Sequence, residues 1–339
     1  MTQREILEAY IALFESEIEE AFLSAISDVS DNVQIGRLIQ SISDGRVQDA
    51  FQTLGFTPAA LRPITATLER AFEQGGVLKA DTFPRFINTT DGRAVFRFDV
   101  RNSRAEAFAR DRSARLISDL TEEARINVQS VIQRGLIDGR NPRRIALDLA
   151  GRVDSNSGRR VNGIIGLSER QELWVANVRR DLENLDNRYF SRRLRDGRFD
   201  SIVRTAIDTG TPLSAARIDR LVDLYKGRAL LQRATTIART ETNRSLNQSD
   251  REAVLQVIEL GGARPQDVIR EWNTSGNNNV RDTHAEMDGQ KRGLDEPFES
   301  PSGARLMQPL DSSLGAPAEE TTNCVCRVRT TIDFLASVE

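Results

Sequence analysis

The chain has 339 residues, of which 39% are hydrophobic and 29% charged, and its formal net charge is −3 at pH 7. This length allows two domains with separate cores, and the composition is typical of a globular protein with a polar surface. There is no run of about 18 apolar residues, so we expect no membrane span. A nearly neutral chain also has no overall positive field that would attract nucleic acid.

The first residues do not have the pattern of a targeting segment. Glu5 and Glu8 stand where a secretory signal would have a basic start and an apolar centre. We therefore expect no cleaved signal peptide and synthesis in a reducing cytoplasm.

The basic residues are almost all arginines, since lysine occurs only as Lys79, Lys226 and Lys291. Arginine binds phosphate and carboxylate groups through two parallel hydrogen bonds, which suits contact with DNA or with another subunit. A GC-rich genome also favours arginine codons, and most charged side chains only solvate a surface. Both interpretations stay open.

Helical patterns begin near the N-terminus. Residues 3–29 repeat apolar side chains at helical spacing, with acidic side chains opposite, and so predict an amphipathic helix. Further along the chain, three prolines each follow a threonine or an asparagine, a pattern typical of a helix start. The three pairs are Thr57-Pro58, Asn141-Pro142 and Thr211-Pro212.

A β-hairpin is predicted between the helices of the first hundred residues. The aromatic-rich runs 83–88 and 94–100 flank a polar segment that contains Thr90, Asp91 and Gly92. An Asp-Gly pair between two such runs is a strong signal for a hairpin turn.

The middle of the chain returns to helical spacing. A long helix is predicted over residues 103–134, where Gly135 and Gly139 would end it, followed by a short helix over 142–150. Residues 151–167 are rich in glycine, serine, asparagine and arginine without clear periodicity. This composition predicts a loop, and we expect a flexible joint there.

Helices then continue over 168–195, 199–209 and 214 to about 260, the last with an expected interruption near 247–250. Ser168 and Gln171 are spaced as a capping box at the first of these helix starts. Beyond the helices, the best strand candidates are residues 268–272 and 324–334.

These elements predict an α+β protein, with a mostly α-helical N-terminal region and a small C-terminal α+β module. We divide the sequence into three regions. They are residues 1–100 with the hairpin near 83–100, residues 101–210 with a linker near 151–167, and residues 211–339 as the C-terminal module.

An ordered series of motifs fills the C-terminal region. ARTETNR at 238–244 is followed by Trp272, by VRDTHAEMDGQ at 280–290, by DEPF at 295–298 and by NCVC at 323–326. This succession resembles the phage head morphogenesis family, the Mu F-like minor head proteins of tailed bacteriophages and prophages. The resemblance covers roughly residues 215 to 330.

The resemblance implies a virion protein of the head or portal vertex, assembled in the cytoplasm of a bacterial host. Its expected partners are the phage portal protein, other head proteins and phage DNA, with no membrane. The expected role is head morphogenesis, with genome packaging or ejection as a further expectation, and the protein is not expected to be an enzyme. The family motif residues are Arg239, Glu241, Asn243, Trp272, Arg281, Asp282, His284, Asp288, Gly289, Phe298, Asn323, Cys324 and Cys326.

The two cysteines and the single histidine of the chain all lie in this region. In a strand, Cys324 and Cys326 would point to the same face, about 7 Å apart. With His284 and an acid, Asp282 or preferably Asp288, they offer the donors that zinc prefers, although the spacing differs from common zinc motifs. A disulfide in the mature particle and inert burial are the alternatives.

His284 is also a candidate base, because nearby carboxylates could orient it. The sequence shows no recognisable nucleophile and no glycine-rich phosphate loop. The preferred interpretation is therefore structural, as it is for Glu241, which with Arg239, Asn243 and Arg244 would fix the helix by polar contacts. The alternative is a metal-dependent or toxin-like enzyme, similar to an ADP-ribosyltransferase or a nuclease.

Nucleic-acid binding is a third candidate function. Arg192, Arg193 and Arg195 lie beside Tyr189 and Phe190, and such a mixture of cations and aromatic rings suits a DNA backbone and its bases. Interspersed acids dilute the positive charge, so a solvated surface is the competing interpretation. The sequence departs from the family pattern at 273–279, an Asn-rich loop where an acidic ligand would otherwise be expected.

Overall fold

The structure, a computed structural model, describes residues 2–89, 92–276 and 280–336. Thr90 and Asp91 of the predicted hairpin turn lie outside the described residues, as do the last three asparagines of the loop at 273–279. In the described ranges no helix is long and apolar enough to cross a membrane.

Helices make up 62% of the structure, which confirms the α+β class with a helical N-terminal region. Short 3₁₀ turns at Pro58–Leu61, Asn187–Ser191, Gly197–Phe199 and Pro265–Asp267 connect several of them. The α-helices are α1 (Gln3–Asp31), α2 (Ile35–Ser43), α3 (Val47–Leu54), α4 (Arg62–Ala80), α5 (Ser103–Ile137), α6 (Pro142–Ala150), α7 (Glu169–Glu183), α8 (Asp200–Thr209), α9 (Ala215–Glu259), α10 (Asp282–Met287) and α11 (Ala318–Thr321).

The strands within the described ranges are short. They are β1 (Ile87–Thr89), β2 (Gly92–Ala94), β3 (Arg152–Val153), β4 (Arg160–Val161), β5 (Val268–Asn273), β6 (Lys291–Arg292), β7 (Phe298–Glu299), β8 (Arg305–Leu306) and β9 (Arg327–Ile332). They form small antiparallel sheets, and the largest has the order β6-β5-β9. In that sheet Trp272 pairs with Val328. The other sheets are the two-stranded pairs β1-β2, β3-β4 and β7-β8.

The contacts divide the chain into two compact units. The second unit consists of Glu20–Pro63 and Arg115–Ala234. The first unit consists of Met1–Glu19, Ile64–Ala114 and Thr235–Glu339, and it contains the C-terminal motifs. The three regions drawn from the sequence remain predictions.

Two predicted helix starts are confirmed, and at each of them a side chain accepts a hydrogen bond from a backbone N–H group of the first turn. Asn141 accepts a hydrogen bond from the backbone N–H of Arg143 at 2.8 Å and caps α6. Ser168 and Gln171 form the predicted capping box of α7, with both bonds at 3.2 Å. The helix over 3–29 is confirmed as α1, whose apolar face is mostly buried, although Leu13 is 50% exposed.

Other predicted boundaries are wrong. Thr57 makes no side-chain cap, and its proline begins a 3₁₀ turn instead of an α-helix. Thr211 precedes an irregular segment, and α9 begins only at Ala215, where Ser214 accepts from the N–H of Arg217 at 3.4 Å. The helix predicted over 168–195 already ends at Glu183.

Gly135 was expected to break α5 but lies inside it. A Cβ at this position would lie 2.6 Å from Cδ1 of Ile145, so the missing side chain lets α6 pack closely against α5. The helix ends before Gly139, which has a positive φ of 66°. The residue that stops the helix is therefore the one with left-handed backbone.

The segment 151–167, predicted as a flexible joint, is packed within the second unit. It forms the β3-β4 pair, and Ile164, Ile165 and Leu167 after it are buried. The carbonyl of Leu167 also accepts a hydrogen bond from the buried side chain of Asn127 at 3.0 Å.

The helix α9 has no interruption at 247–250. The polar side chains there have partners on the helix itself, since Asn247 donates to the carbonyl of Asn243 at 2.9 Å and Ser249 donates to that of Leu246 at 3.0 Å. The polar residues Asn247 and Ser249 are part of a buried helix face and do not interrupt the helix.

The first unit contains a close approach that can be tested. An added Cβ on Gly76 of α4 would lie 2.3 Å from the ring of Phe98, which packs edge-on against Phe72. We expect Gly76→Ala to destabilise the fold by about 1–3 kcal/mol, because the ring has to move. Thermal and urea unfolding measure the effect.

The matched control is Gly227→Ala in α9, where the nearest atom to an added Cβ is Oδ1 of Asn162 at 3.9 Å. It should raise stability by up to about 1 kcal/mol through helix propensity. If both variants stabilise equally, the close packing of Phe98 on Gly76 is wrong.

Candidate functional site

The only histidine and the only two cysteines of the chain meet in one buried cluster. His284 on α10 is 1% exposed, and Cys324 and Cys326 are each 2% exposed. Nδ1 of His284 lies 3.5 Å from the Sγ atom of either cysteine. The three donor atoms all lie within 4.8 Å of one another.

The cysteines reach this position because they precede the strand instead of belonging to it. We expected a strand from Cys324 onward, with both thiols on one face, whereas β9 begins at Arg327. Asn323 has left-handed backbone with φ of 58°, and the N–H of Cys326 points to Sγ of Cys324 at 3.4 Å. This turn brings both thiols against His284.

The polar face of α9 holds the cysteine segment in place. Nη1 of Arg239 donates to Oδ1 of Asn323 at 3.2 Å, and the N–H of Asn323 donates to Oγ1 of Thr240 at 2.9 Å. About two turns further along α9, Asn247 donates to the carbonyl of Cys326 at 3.2 Å. The ARTETNR helix therefore binds the NCVC segment directly, on both sides of its turn.

Glu241 on the same helix is enclosed by arginines. Its carboxylate accepts from Nε of Arg112 at 2.6 Å and from Nη1 of Arg244 at 3.0 Å. Arg244 also donates to the carbonyl of Leu310 at 3.0 Å. The Glu241 side chain is almost fully buried and joins α5, α9 and the C-terminal loops. Asn243, close by, donates to Glu15 of α1 at 3.1 Å.

The acid beside His284 is one that the sequence did not indicate. Oε2 of Glu320 on α11 lies 2.9 Å from Nε2 of His284, within ion-pair distance but without hydrogen-bond alignment. Ser300, Ser302 and Thr283 donate their hydroxyl groups to Glu320. Burial raises the pKa of Glu320, but these hydrogen bonds and His284 outweigh it and keep the pKa below its usual value.

The acids that we expected near His284 lie elsewhere. Asp288 is exposed and accepts from the backbone N–H of Thr274 at 2.8 Å and from its hydroxyl at 3.1 Å. Asp282 is exposed at the start of α10. Among the described residues, the group of donors around His284 contains neither of them.

Apolar side chains surround the cluster. Trp272 is fully buried, with its ring edge-on to His284 at 5.2 Å and to Phe298 at 5.3 Å. Met287 and Leu306 belong to the same core, together with both cysteines. The thiols thus lie in an environment with little access to water.

The two thiols influence each other because they are buried together. A hydrogen bond from Cys326, with a contribution from His284, lowers the pKa of Cys324 to about 5 against the effect of burial. The hydrogen bond to Cys324 and burial raise the pKa of Cys326 far above its usual value. One thiol is therefore favoured as the thiolate and the other as the protonated donor.

Arg270 is a second buried centre that the sequence did not reveal. It donates to the carbonyls of Gly293, Glu296 and Met307, and its guanidinium lies 5.1 Å from the ring centre of Phe298. Burial lowers the pKa of Arg270 to about 10, so it stays charged at neutral pH. Buried and more exposed residues alternate along β5, and Arg270 occupies one of the buried positions. This alternation is the one feature of the sequence that could have indicated its burial.

The remaining motif residues also support the backbone. Arg281 donates to the carbonyl of Thr322, immediately before the cysteine segment. Gly289 has a positive φ of 75°, and its N–H donates to the carbonyl of Trp272 at 2.8 Å. A left-handed position of this kind favours glycine.

The predicted DNA-contact arginines lie in the second unit and are mostly engaged by acids. Arg192 pairs with Asp181 at 2.8 Å and Arg195 pairs with Asp200 at 3.0 Å. Arg193 is exposed. Nucleic-acid binding by these residues remains a prediction, but two of the three guanidinium groups have carboxylate partners already.

A comparison with protein families matches the C-terminal part of the chain. Residues 199–329 match the model of the family described as phage Mu protein F like protein, a family of structural phage head proteins. The matched segment is less than half of the chain, and it is similar to the phage Mu F-like family, as its motifs indicated. This similarity supports a phage head-related protein. No curated protein and no solved structure matches the chain.

The enclosure of Glu241 leads to a prediction. We expect Glu241→Ala to lower the free energy of unfolding by about 3–5 kcal/mol, because it removes the buried carboxylate that the partly buried guanidinium groups of Arg112 and Arg244 share. Glu8→Ala is the control, since Glu8 pairs with Arg4 at 2.8 Å on an exposed surface and should change stability by less than about 1 kcal/mol. Equal melting temperatures for the two variants would contradict the buried role.

A second prediction concerns the shape of the Arg270 side chain. Arg270→Lys replaces a planar fork by a single ammonium group that cannot reach three carbonyls at once, and each carbonyl left unsatisfied costs about 1–3 kcal/mol. The same change at exposed Arg329, which pairs with Glu271 at 2.8 Å, should be nearly neutral. Circular dichroism melts compare the two, and a harmless Arg270→Lys would refute the carbonyl-binding role.

Proposed function

We propose that this protein is a minor head protein bound to the portal vertex, where its first unit acts as a rigid binding module without catalytic activity. The family match supports a head protein. The observation that supports the rigid module is the use of the motif residues: Arg239 and Asn323 bind each other, and Glu241 is enclosed by arginines. These motif side chains bind other residues of the same unit.

The buried position of His284 supports a non-enzymatic role. A general base has to reach the proton that it abstracts from a substrate, and His284 is 1% exposed. Its two ring nitrogens face the thiols and Glu320. Glu241 is equally unsuited to a toxin-like reaction, because its carboxylate is already bound by two arginines.

Partner binding has to use surfaces other than the apolar face of α1. The apolar face over residues 6 to 25 is not available for docking, because Phe14, Ile18 and Phe22 are buried inside the protein. This face stabilises the chain itself. The portal-binding surface we propose therefore lies among exposed residues.

The test is a prophage or phage that carries the gene with an in-frame deletion. We expect wild-type particles to contain the protein at low copy number with the portal, and the deletion to reduce infectious particles until the wild-type gene is supplied. Quantitative mass spectrometry of purified particles and plaque counts measure this. Absence of the protein from particles would refute the head assignment, and presence only in shells without portal would refute the portal assignment.

Complementation with variants separates a binding module from an enzyme. His284→Gln keeps a hydrogen-bonding side chain of similar size. If this variant is incorporated into particles of the deletion strain but does not restore their infectivity, the result would favour catalysis. We expect incorporation and infectivity to rise or fall together, with Glu8→Ala as the variant that leaves both unchanged.

A further inference from the structure

We propose that His284, Cys324 and Cys326 bind one zinc ion, and that Glu320 orients the histidine for this purpose. The proposal concerns the buried cluster alone and does not depend on the role of the protein in a phage head.

The distances match those of a zinc site. Zinc binds thiolate sulfur at about 2.3 Å and imidazole nitrogen at about 2.0–2.1 Å, in tetrahedral geometry. Two such donors on one zinc ion are therefore about 3.6 Å apart. Nδ1 of His284 lies 3.5 Å from each of Sγ of Cys324 and Sγ of Cys326, so both sulfur–nitrogen edges of such a tetrahedron are already present.

The charge of the site also favours a divalent cation. Two thiolates cannot stay ionised in a dry core without a counter-charge, and this core is lined by Trp272, Phe298 and Leu306. A zinc ion makes the pair of thiolates and the neutral imidazole neutral overall. Soft sulfur donors combined with imidazole select zinc over calcium or magnesium.

Glu320 provides the second contact that zinc-bound histidines usually have. A histidine that binds metal through one ring nitrogen generally directs the other toward a carboxylate or a carbonyl, which fixes the tautomer. Here Nδ1 faces the thiols and Nε2 faces Oε2 of Glu320 at 2.9 Å. The hydroxyl groups of Ser300 and Ser302 hold this buried carboxylate in position.

The proposed ion would join distant parts of the chain. It would connect α10 with the segment before β9, so that residues 284 and 324 close a loop of the chain. Three protein donors leave the fourth tetrahedral position for a water molecule or an added ligand. Because binding requires the folded arrangement, the energy of binding stabilises the fold.

The experiment uses the full chain, expressed with zinc and purified under reducing conditions. We expect one zinc per chain by plasma mass spectrometry, and a lower melting temperature after a strong chelator removes it. Cobalt added to the chelated protein should give the intense visible absorption of tetrahedral cobalt and the ultraviolet bands of cobalt–thiolate bonds. Wild-type protein that is folded, reduced and free of stoichiometric zinc, and that gives no such spectrum, would overturn the proposal.

Variants assign the donors. Cys326→Ser should abolish zinc binding at equal metal concentration, whereas Glu320→Gln should still bind zinc with affinity weakened about 10- to 100-fold. Asp288→Asn is the control, because Asp288 lies beside Thr274 instead of the cluster, and it should bind zinc like the wild type. Unchanged binding by Cys326→Ser, or loss of zinc in Asp288→Asn, would refute the assigned donors.

If Cys326→Ser does not fold, the cobalt spectrum of the wild-type protein still tests whether the cluster binds metal. The zinc affinity of Glu320→Gln still tests whether Glu320 orients His284. An affinity of Glu320→Gln equal to that of the wild type would refute the orienting role of Glu320. A disulfide between the two cysteines in protein kept under reducing conditions would refute the whole site.

Discussion

The first unit depends on the contact between the polar face of α9 and the segment that carries the cysteines. Thr240 and Asn247 lie about two turns apart on the helix, and they bind backbone groups of Asn323 and Cys326. Because this segment has few strand hydrogen bonds of its own, side chains have to satisfy its backbone. Once the helix fixes the turn at Asn323, the direction of β9 and the position of both thiols follow.

This contact also explains why motifs far apart in the sequence occur together. A change in the helix motif removes a partner of the cysteine segment, and a change in that segment leaves a buried polar side chain of the helix unsatisfied. Unsatisfied buried groups are costly. The spacing along the chain has little physical meaning here, since the interacting groups are some eighty residues apart.

The sequence correctly predicted the structural elements that are determined by residues close to one another along the chain. The helices α1 and α6, the capping box of α7 and the strand β5 follow from local periodicity and capping side chains. It failed where long-range packing decides: α9 continues through polar residues because their side chains find buried partners, and Gly135 stays helical because Ile145 fills the space of its missing side chain. Glu320 could not have been found from spacing, because only the fold brings α11 to His284.

The contacts of Arg270 matter for the proposed role in a phage head, because a virus particle leaves its host and meets media of varied salt and metal content. Loops that converge on one point through their carbonyl oxygens are in many proteins held by a calcium ion, which dilution or a chelator can remove. Here the cation that gathers the loops at Gly293, Glu296 and Met307 is covalently part of the chain. These loops therefore need no calcium ion to hold their carbonyl groups together.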